Sequence, residues 1–167
     1  TTFDKLAGNI GIGHVRYPTA GGDNVNEAQP FFTANPVNIS LAHNGTLTNS
    51  EKLKEELIKI NFCQFNTNSD SEVLLKQFCY ELYKTNFRKL TKTHVYKALK
   101  NVFQKCSGGY AVVMIVAGIG LVAFRDPKGI RPLSLGKKKN SYLIASESSA
   151  ITAMEYNLES DIKPGQV

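Results

Sequence analysis

Four residues in the first half of the chain carry groups suited to binding and converting a small polar substrate. Arg16 offers a planar guanidinium that can hold a carboxylate through two hydrogen bonds. Asn44 and Gly45 follow an apolar run and can direct amide N–H groups at an oxyanion. Asp70 lies at a predicted helix start and can bind an ammonium group. Each also has a plain structural interpretation: a surface arginine, an Asn-Gly turn and a helix cap.

Other kinds of site are disfavoured by residue spacing. The three histidines, His14, His43 and His94, lie far apart and occur in no metal-binding pattern, so we expect no metal site. The glycines at 8–13 resemble a phosphate loop, but strand-like residues rather than a helix start follow them. No Gly-x-Ser-x-Gly nucleophile turn is present. We interpret His43 as a core residue behind the site.

Strands and helices are predicted to position the candidate residues. Residues 8–17 are predicted to form a short strand, and residues 39–42 a buried strand that ends at the Asn-Gly turn. Capping-box patterns at 48–51 and 69–72 predict the starts of two helices, and an apolar stripe from Thr93 predicts a third.

The second half of the chain changes to β periodicity. Apolar runs at 110–117 and 121–124, separated by Gly-Ile-Gly, predict a hairpin, and runs at 133–135 and 142–145 predict another. A short helix is predicted within 146–156. Strands, then helices, then hairpins indicate a single α+β domain over residues 1–167, with antiparallel pairing.

Composition and charge exclude several classes of protein. A chain of 167 residues with 42% hydrophobic residues is typical of one globular domain. The net charge is +6, but the densest basic run, the lysines at 137–139, is interpreted as a solvated hairpin turn rather than a nucleic-acid surface. Its three cysteines have no metal-ligand spacing, and no signal peptide or span of about 18 apolar residues occurs. We therefore expect a soluble, cytoplasmic protein with no nucleic-acid or membrane partner.

Ordered motifs along the chain together resemble those of class II glutamine amidotransferases, which are N-terminal nucleophile hydrolases. Three are Gly-His-Val-Arg-Tyr-Pro-Thr-Ala-Gly at 13–21, Ala-His-Asn-Gly at 42–45 and Ser-Asp-Ser-Glu at 69–72. Within that class, Arg-Tyr-Pro-Thr and Phe-Arg-Asp-Pro-Lys-Gly-Ile-Arg-Pro-Leu at 124–133 are similar to the amidophosphoribosyltransferase family. Further matches at 145–148 and 161–165 extend the resemblance over nearly the whole chain.

The resemblance implies a glutamine site within a four-layer αββα sandwich that is incomplete at both ends. Arg16, assisted by Thr19, would hold the α-carboxylate of glutamine, and Asp70 would pair with its α-ammonium. Asn44 and Gly45 would form the oxyanion hole for the tetrahedral intermediate at the side-chain amide.

One departure from the family pattern concerns the nucleophile. The family uses an N-terminal cysteine whose own α-amino group acts as base, whereas this chain begins with Thr1. Only twelve residues precede Gly13, although the family places its cysteine strand a long segment before this motif. We therefore expect truncation rather than a threonine enzyme, and an inactive fragment.

The resemblance also implies groups outside this chain. A C-terminal phosphoribosyltransferase domain would use ammonia and magnesium to convert phosphoribosyl pyrophosphate into 5-phosphoribosylamine, the first committed step of purine synthesis. No cofactor is expected within these 167 residues, although some relatives bind an iron–sulfur cluster. The intact enzyme is expected to form a homo-oligomer.

Two other functions are also considered for this sequence. The chain would serve a glucosamine-phosphate or glutamate synthase if its partner domain were different. A non-catalytic basic binding module would instead require clustered lysines and arginines with interleaved exposed aromatic residues.

Overall fold

A computed structural model describes residues 7–15, 25–60 and 62–167. These residues form seven strands, four α-helices and one short 3-10 helix at Val25–Glu27. The strands are β1 (Phe31–Thr33), β2 (Ile39–Leu47), β3 (Gly108–Val116), β4 (Gly120–Arg125), β5 (Ser134–Lys138), β6 (Ser141–Ala145) and β7 (Asn157–Asp161). The helices are α1 (Ser50–Lys59), α2 (Asp70–Tyr83), α3 (Lys92–Lys105) and α4 (Ser148–Ala153). This arrangement confirms the predicted α+β class.

The strands form two antiparallel sheets, with orders β1-β2-β3-β4 and β6-β5-β7. The two predicted hairpins are confirmed as β3–β4 and β5–β6. β2 pairs with β3 along its whole length, from Ile39 opposite Val116 to Leu47 opposite Gly108. β1 pairs with β2 only at residues 39–41, so no described strand covers that side of β2 beyond residue 41.

The prediction that β2 ends in an Asn-Gly turn is wrong, because the strand continues through Asn44 and Gly45 to Leu47. Gly108 and Gly109 of β3 lie opposite this last part of β2. The backbones approach so closely that a Cβ on Gly45 would lie 2.1 Å from the carbonyl oxygen of Gly109. Glycine therefore serves close strand packing here rather than chain reversal.

Side-chain alternation gives the first sheet two buried faces. One face packs against α1, α2 and α3 and contributes large apolar residues to the main core, namely Ile39, Leu41, Val112, Met114 and Phe124. The opposite face carries the small residues Ala111 and Ala123, which pack with Leu133 and Ile162 beside the second sheet. α4 covers the second sheet, and its Ile151 lies against Gly136 of β5.

The start of α2 places Asp70 at the first helical position. Ser69 is the N-cap, and its hydroxyl accepts a hydrogen bond from the N–H of Ser71 at 3.3 Å. Glu72 does not complete the predicted capping box. Its carboxylate instead accepts hydrogen bonds from the N–H groups of residues 66 and 67, which attaches the preceding loop to the first turn of α2.

The starts of α1 and α3 also differ from the simple capping pattern. α1 begins one residue after Asn49, whose side chain bonds to the backbone of Ser107 and Lys105 and not to its own helix. In α3 the box is closed by Thr91 and His94, so His94 has a structural role. Within the described ranges, no helix combines the length and apolarity needed to cross a bilayer.

One predicted strand does not form over its described residues, and the strand β7 was not predicted. Residues 8–15 of the predicted 8–17 strand form no strand, and Val15 is 97% exposed; residues 16 and 17 lie outside the described part. β7 was missed because all five of its residues are exposed and show no apolar alternation. A strand depends on its neighbour, which local periodicity does not report.

The lysine run at 137–139 lies at the β5–β6 turn, as predicted. Lys138 forms an ion pair with Glu155 at 3.0 Å, and the ammonium of Lys137 lies 5.7 Å from the ring centroid of Tyr142. These contacts with neighbouring side chains agree with a solvated turn.

Gly108→Ala is expected to destabilise the protein far more than Gly118→Ala. Both glycines have positive φ, +130° and +81°, so each substitution carries a backbone cost of roughly 1–2 kcal/mol. Only at Gly108 would the methyl group collide, 2.1 Å from the carbonyl oxygen of Thr46, whereas open space surrounds Gly118. Urea unfolding should show a loss of roughly 3 kcal/mol or more for Gly108→Ala. Equal losses would show that backbone angle, not strand spacing, requires glycine at 108.

Candidate glutamine site

A cavity of about 1000 Å³ opens beside the uncovered edge of β2. Segments far apart in sequence line it: residues 13–15, the middle of β2, the start of α2, and residues near 131–133 and 144–146. Asn44, Gly45 and Asp70 all lie on its wall. The fold therefore brings three of the predicted site residues to one cavity.

Arg16 and Thr19, predicted to bind a carboxylate, lie outside the described residues. His14 and Val15, which directly precede Arg16, line the cavity. The segment that directly precedes Arg16 therefore forms part of the cavity wall.

The backbone N–H groups of β2 alternate between its two edges, as in any antiparallel strand. The N–H of Thr48 bonds on the β3 side, to the carbonyl oxygen of Ser107 at 2.9 Å. The N–H groups of residues 43, 45 and 47 consequently point to the other, uncovered edge.

Side chains occupy two of these three N–H groups. The N–H of His43 donates to Oε1 of Gln29 at 2.7 Å, and that of Leu47 donates to Oδ2 of Asp70 at 2.8 Å. Between them, the Gly45 N–H has no acceptor among the residues that the structure describes. It is a fixed donor on the wall of the cavity.

Asp70 presents a carboxylate at the N-terminal end of α2, where the helix dipole favours negative charge. Besides the bond from Leu47, its Oδ1 lies 3.8 Å from Nδ1 of His43. The side chain is 24% exposed, so the carboxylate remains accessible from the cavity. This arrangement can bind a substrate ammonium.

Asn44 lies on the face of β2 opposite to that of its neighbour His43, because successive side chains of a strand alternate. It is half-buried and stands across from the small residue Ala111, which also lines the cavity. Its side-chain amide makes no hydrogen bond within the described residues. The amide is therefore available to a bound molecule.

Gln29 is a site residue that the sequence did not predict. In addition to accepting from the His43 N–H, its Nε2 donates to the His43 carbonyl oxygen and to Oγ of Ser71, each at 3.2 Å. The partners lie 14 and 42 residues along the chain, so no local pattern identifies this role.

His43 is a buried neutral histidine behind the cavity wall. It is 3% exposed, and its Nδ1 lies 3.0 Å from Oγ of Ser71. Burial lowers the pKa of His43 from 6.5 to about 4; Asp70 opposes this shift, and the positive charges of His14 and Arg131 add to it. This environment agrees with the interpretation of His43 as a core residue.

The 124–133 motif forms a loop that carries Arg131 to the cavity. Asp126 is fully buried, and its carboxylate accepts hydrogen bonds from four backbone N–H groups: those of Tyr110, Lys128, Ile130 and Arg131. The Arg125 guanidinium donates to three carbonyl oxygens: those of Gly129, Arg131 and Ile162. Two charged side chains of the motif therefore fix the loop rather than contact a substrate.

None of the three cysteines fits the role of nucleophile at this cavity. Burial raises the pKa of both Cys79 and Cys106 to about 12, and it also raises the pKa of Cys63. None of them lines the cavity. Among the described residues, no group of three or more histidine, cysteine or acidic side chains is arranged to hold a metal ion.

Comparison with known proteins shows the family to which this chain belongs. The family model described as a glutamine amidotransferase domain matches residues 14–153. The chain belongs to the class II glutamine amidotransferase domains.

Within that class, the similar proteins are amidophosphoribosyltransferases, and this chain matches their glutamine amidotransferase domain. The Pseudomonas aeruginosa enzyme is 46% identical over 98% of this chain, and the Escherichia coli K12 enzyme 44% identical over 98%. The Saccharomyces cerevisiae enzyme is 45% identical over 96%. The chain spans about a third of the length of these relatives, 34%, 34% and 32% respectively.

Solved structures agree with this assignment. Glutamine phosphoribosylpyrophosphate amidotransferase from B. subtilis, solved with ADP and GMP, superposes with a TM-score of 0.71 at 29% identity. A structure described as the allosteric regulatory enzyme of purine biosynthesis superposes with a TM-score of 0.74 at 31% identity. Each match covers 90% of this chain and 30% of the other.

A variant without His43 is expected to lose less stability than wild type as the pH is lowered. Between pH 6.5 and about 4 the unfolded chain binds a proton at His43 that the folded protein excludes, so stability falls as pH falls through this window. At about 1.4 kcal/mol per pKa unit, the loss is on the order of 3 kcal/mol. Urea unfolding between pH 7.5 and 4.5 should give a shallower slope for His43→Gln than for wild type. Parallel curves would mean that His43 does not titrate as its burial requires.

Proposed function

We propose that this chain is the glutamine-hydrolysing part of an amidophosphoribosyltransferase. Glutamine is hydrolysed at the cavity beside β2, and the released ammonia converts phosphoribosyl pyrophosphate into 5-phosphoribosylamine, the first committed step of purine synthesis. The observation that carries the proposal is the Gly45 N–H, which has no acceptor among the described residues, lies between two occupied N–H groups and is close to Asp70 and Asn44. The homology described above supports the choice of substrate.

The proposed chemistry is acyl transfer through a thioester. The thiol of an N-terminal cysteine of the longer protein attacks the side-chain amide carbon of glutamine, and its α-amino group accepts the thiol proton. The negative charge that develops on the amide oxygen is stabilised by the Gly45 N–H and the Asn44 amide. Collapse of the intermediate transfers a proton to nitrogen and releases ammonia, and water then hydrolyses the thioester to glutamate.

Recognition of free glutamine is assigned to charges of opposite sign. Arg16 and Thr19 hold the α-carboxylate, as the family resemblance implies. Asp70 pairs with the α-ammonium, and its second oxygen is kept in place by the Leu47 N–H at 2.8 Å. Two charged contacts at one end of the substrate distinguish free glutamine from a glutamine side chain within a protein.

The remaining parts of the activity are assigned to the longer protein. Binding of phosphoribosyl pyrophosphate with magnesium is assigned to a phosphoribosyltransferase domain of the longer protein, as the family resemblance implies. The packing of helices, first sheet, second sheet and α4 supports a four-layer αββα sandwich for residues 1–167. We further propose a cytoplasmic homo-oligomer, with any iron–sulfur cluster held outside these residues.

The direct test uses the full-length protein with glutamine, with and without phosphoribosyl pyrophosphate. We expect glutamate release that phosphoribosyl pyrophosphate stimulates, together with formation of phosphoribosylamine. Hydrolysis indifferent to that compound would assign the domain to a different synthase. An absence of hydrolysis in a folded full-length protein would contradict the proposed function.

Asn44→Ala should lower kcat for glutamine hydrolysis, because it removes a donor to the oxyanion. The expected loss is on the order of 10²–10³-fold with little change in KM. Asn140→Ala, at the exposed β5–β6 turn, is the matched control and should keep wild-type kinetics. An Asn44→Ala enzyme with unchanged kcat would remove Asn44 from the oxyanion hole.

Asp70→Asn should raise the glutamine KM, because it removes the charge that binds the α-ammonium but keeps an oxygen to accept the Leu47 N–H. A lost charged contact of this kind costs roughly 2–3 kcal/mol, or about 30–150-fold. Arg16→Ala should raise KM similarly. The control is Glu159→Gln, an equal change of charge on exposed β7. Wild-type KM in Asp70→Asn would show that the ammonium binds elsewhere.

A further inference from the structure

We propose that Gln29 is a positioning residue for glutamine hydrolysis. Its side-chain amide takes the place of a neighbouring strand on the uncovered edge of β2 and thereby holds the Gly45 N–H in its direction toward the cavity. The inference rests on the proposed function, because it concerns the same oxyanion donor.

The need for such a residue follows from the pairing of β2. Beyond residue 41 no described strand covers this edge, so its N–H and C=O groups have no backbone partners there. An unpaired strand edge is free to twist and to bond with water. An oxyanion donor must instead be fixed before the substrate arrives, because reorganisation during the reaction would raise the barrier.

Gln29 supplies both halves of a backbone-like bridge to one residue. Its Oε1 accepts from the His43 N–H at 2.7 Å, while its Nε2 donates to the His43 carbonyl oxygen at 3.2 Å. This is the donor and acceptor pattern that a residue of an antiparallel strand would present. Rotating the amide by half a turn would place oxygen against oxygen, so the orientation is determined.

A third bond ties this amide to the helix that carries Asp70. Nε2 of Gln29 also donates to Oγ of Ser71 at 3.2 Å, and that hydroxyl lies 3.0 Å from Nδ1 of His43. Ser71 is 3% exposed. The two ends of the peptide segment around Gly45 are therefore fixed to the same structure: His43 through Gln29, and Leu47 through Asp70.

Glutamine is the chemically suitable side chain at this position. A glutamate would keep the acceptor but lose the donor, and its carboxylate would face the carbonyl oxygen of His43. It would also place negative charge near the developing oxyanion. A protonated glutamate, however, carries one O–H donor and one C=O acceptor and can reproduce the bridge.

The experiment compares Gln29→Glu, Gln29→Met and wild type in the full-length protein, with Gln104→Glu as a control on the exposed face of α3. At neutral pH we expect both Gln29 variants to lose roughly tenfold or more in kcat, less than deletion of a donor costs, with the glutamine KM nearly unchanged. As pH is lowered, Gln29→Glu should regain activity relative to wild type, whereas Gln29→Met should not. Gln104→Glu should follow wild type throughout.

Circular dichroism of each variant checks that the protein is folded, so that kinetic constants are compared only between folded proteins. Wild-type kcat in Gln29→Glu would overturn the inference, as would a change confined to KM. Equal losses in Gln29→Glu and Gln29→Met at every pH, tracking a reduced folded fraction, would also overturn it and leave Gln29 a purely structural role. A wild-type enzyme that does not hydrolyse glutamine would instead contradict the proposed function, which separates the two failures.

Discussion

The close approach of β2 and β3 at their glycines is the constraint on which the site depends. A Cβ on Gly45 would lie 2.1 Å from the Gly109 carbonyl oxygen, and one on Gly108 equally close to that of Thr46. Without side chains at this contact, β2 stays paired through Asn44 and Gly45 while β1 has already ended. The segment therefore has a rigid partner on one edge and, on the other, the Gly45 N–H, which has no acceptor among the described residues.

Side chains rather than a strand complete the uncovered edge. A neighbouring strand would have bonded every N–H group along it, and would have left none for a substrate. Gln29 and Asp70 bond only the groups on either side of Gly45. Among the described residues, the Gly45 N–H is therefore left as a donor because only the N–H groups on either side of it are hydrogen-bonded. The same contacts connect β2 to the start of α2.

Electrostatics separates structural from binding groups around the cavity. His43 is kept neutral by burial, so it adds no positive charge behind the Gly45 N–H. The charged side chains of Arg125 and Asp126 form hydrogen bonds with backbone groups of the 126–131 loop. Asp70 keeps part of its carboxylate accessible, which leaves it as an anion that can meet a substrate cation.

The sequence by itself determined the helices and both hairpins, because apolar periodicity and short motifs are local properties, and it supplied Asn44, Gly45 and Asp70 as candidates that the structure brings to one cavity. It did not reveal that β2 passes through Asn44 and Gly45, since an Asn-Gly pair forms a turn unless another strand accommodates it. Only the tertiary structure supplied that strand, with Gly108 opposite Leu47. Gln29 was not predicted for the same reason. Its partners lie 14 and 42 residues away in the sequence, and hydrogen bonds between residues so far apart are decided by tertiary packing rather than by neighbouring residues.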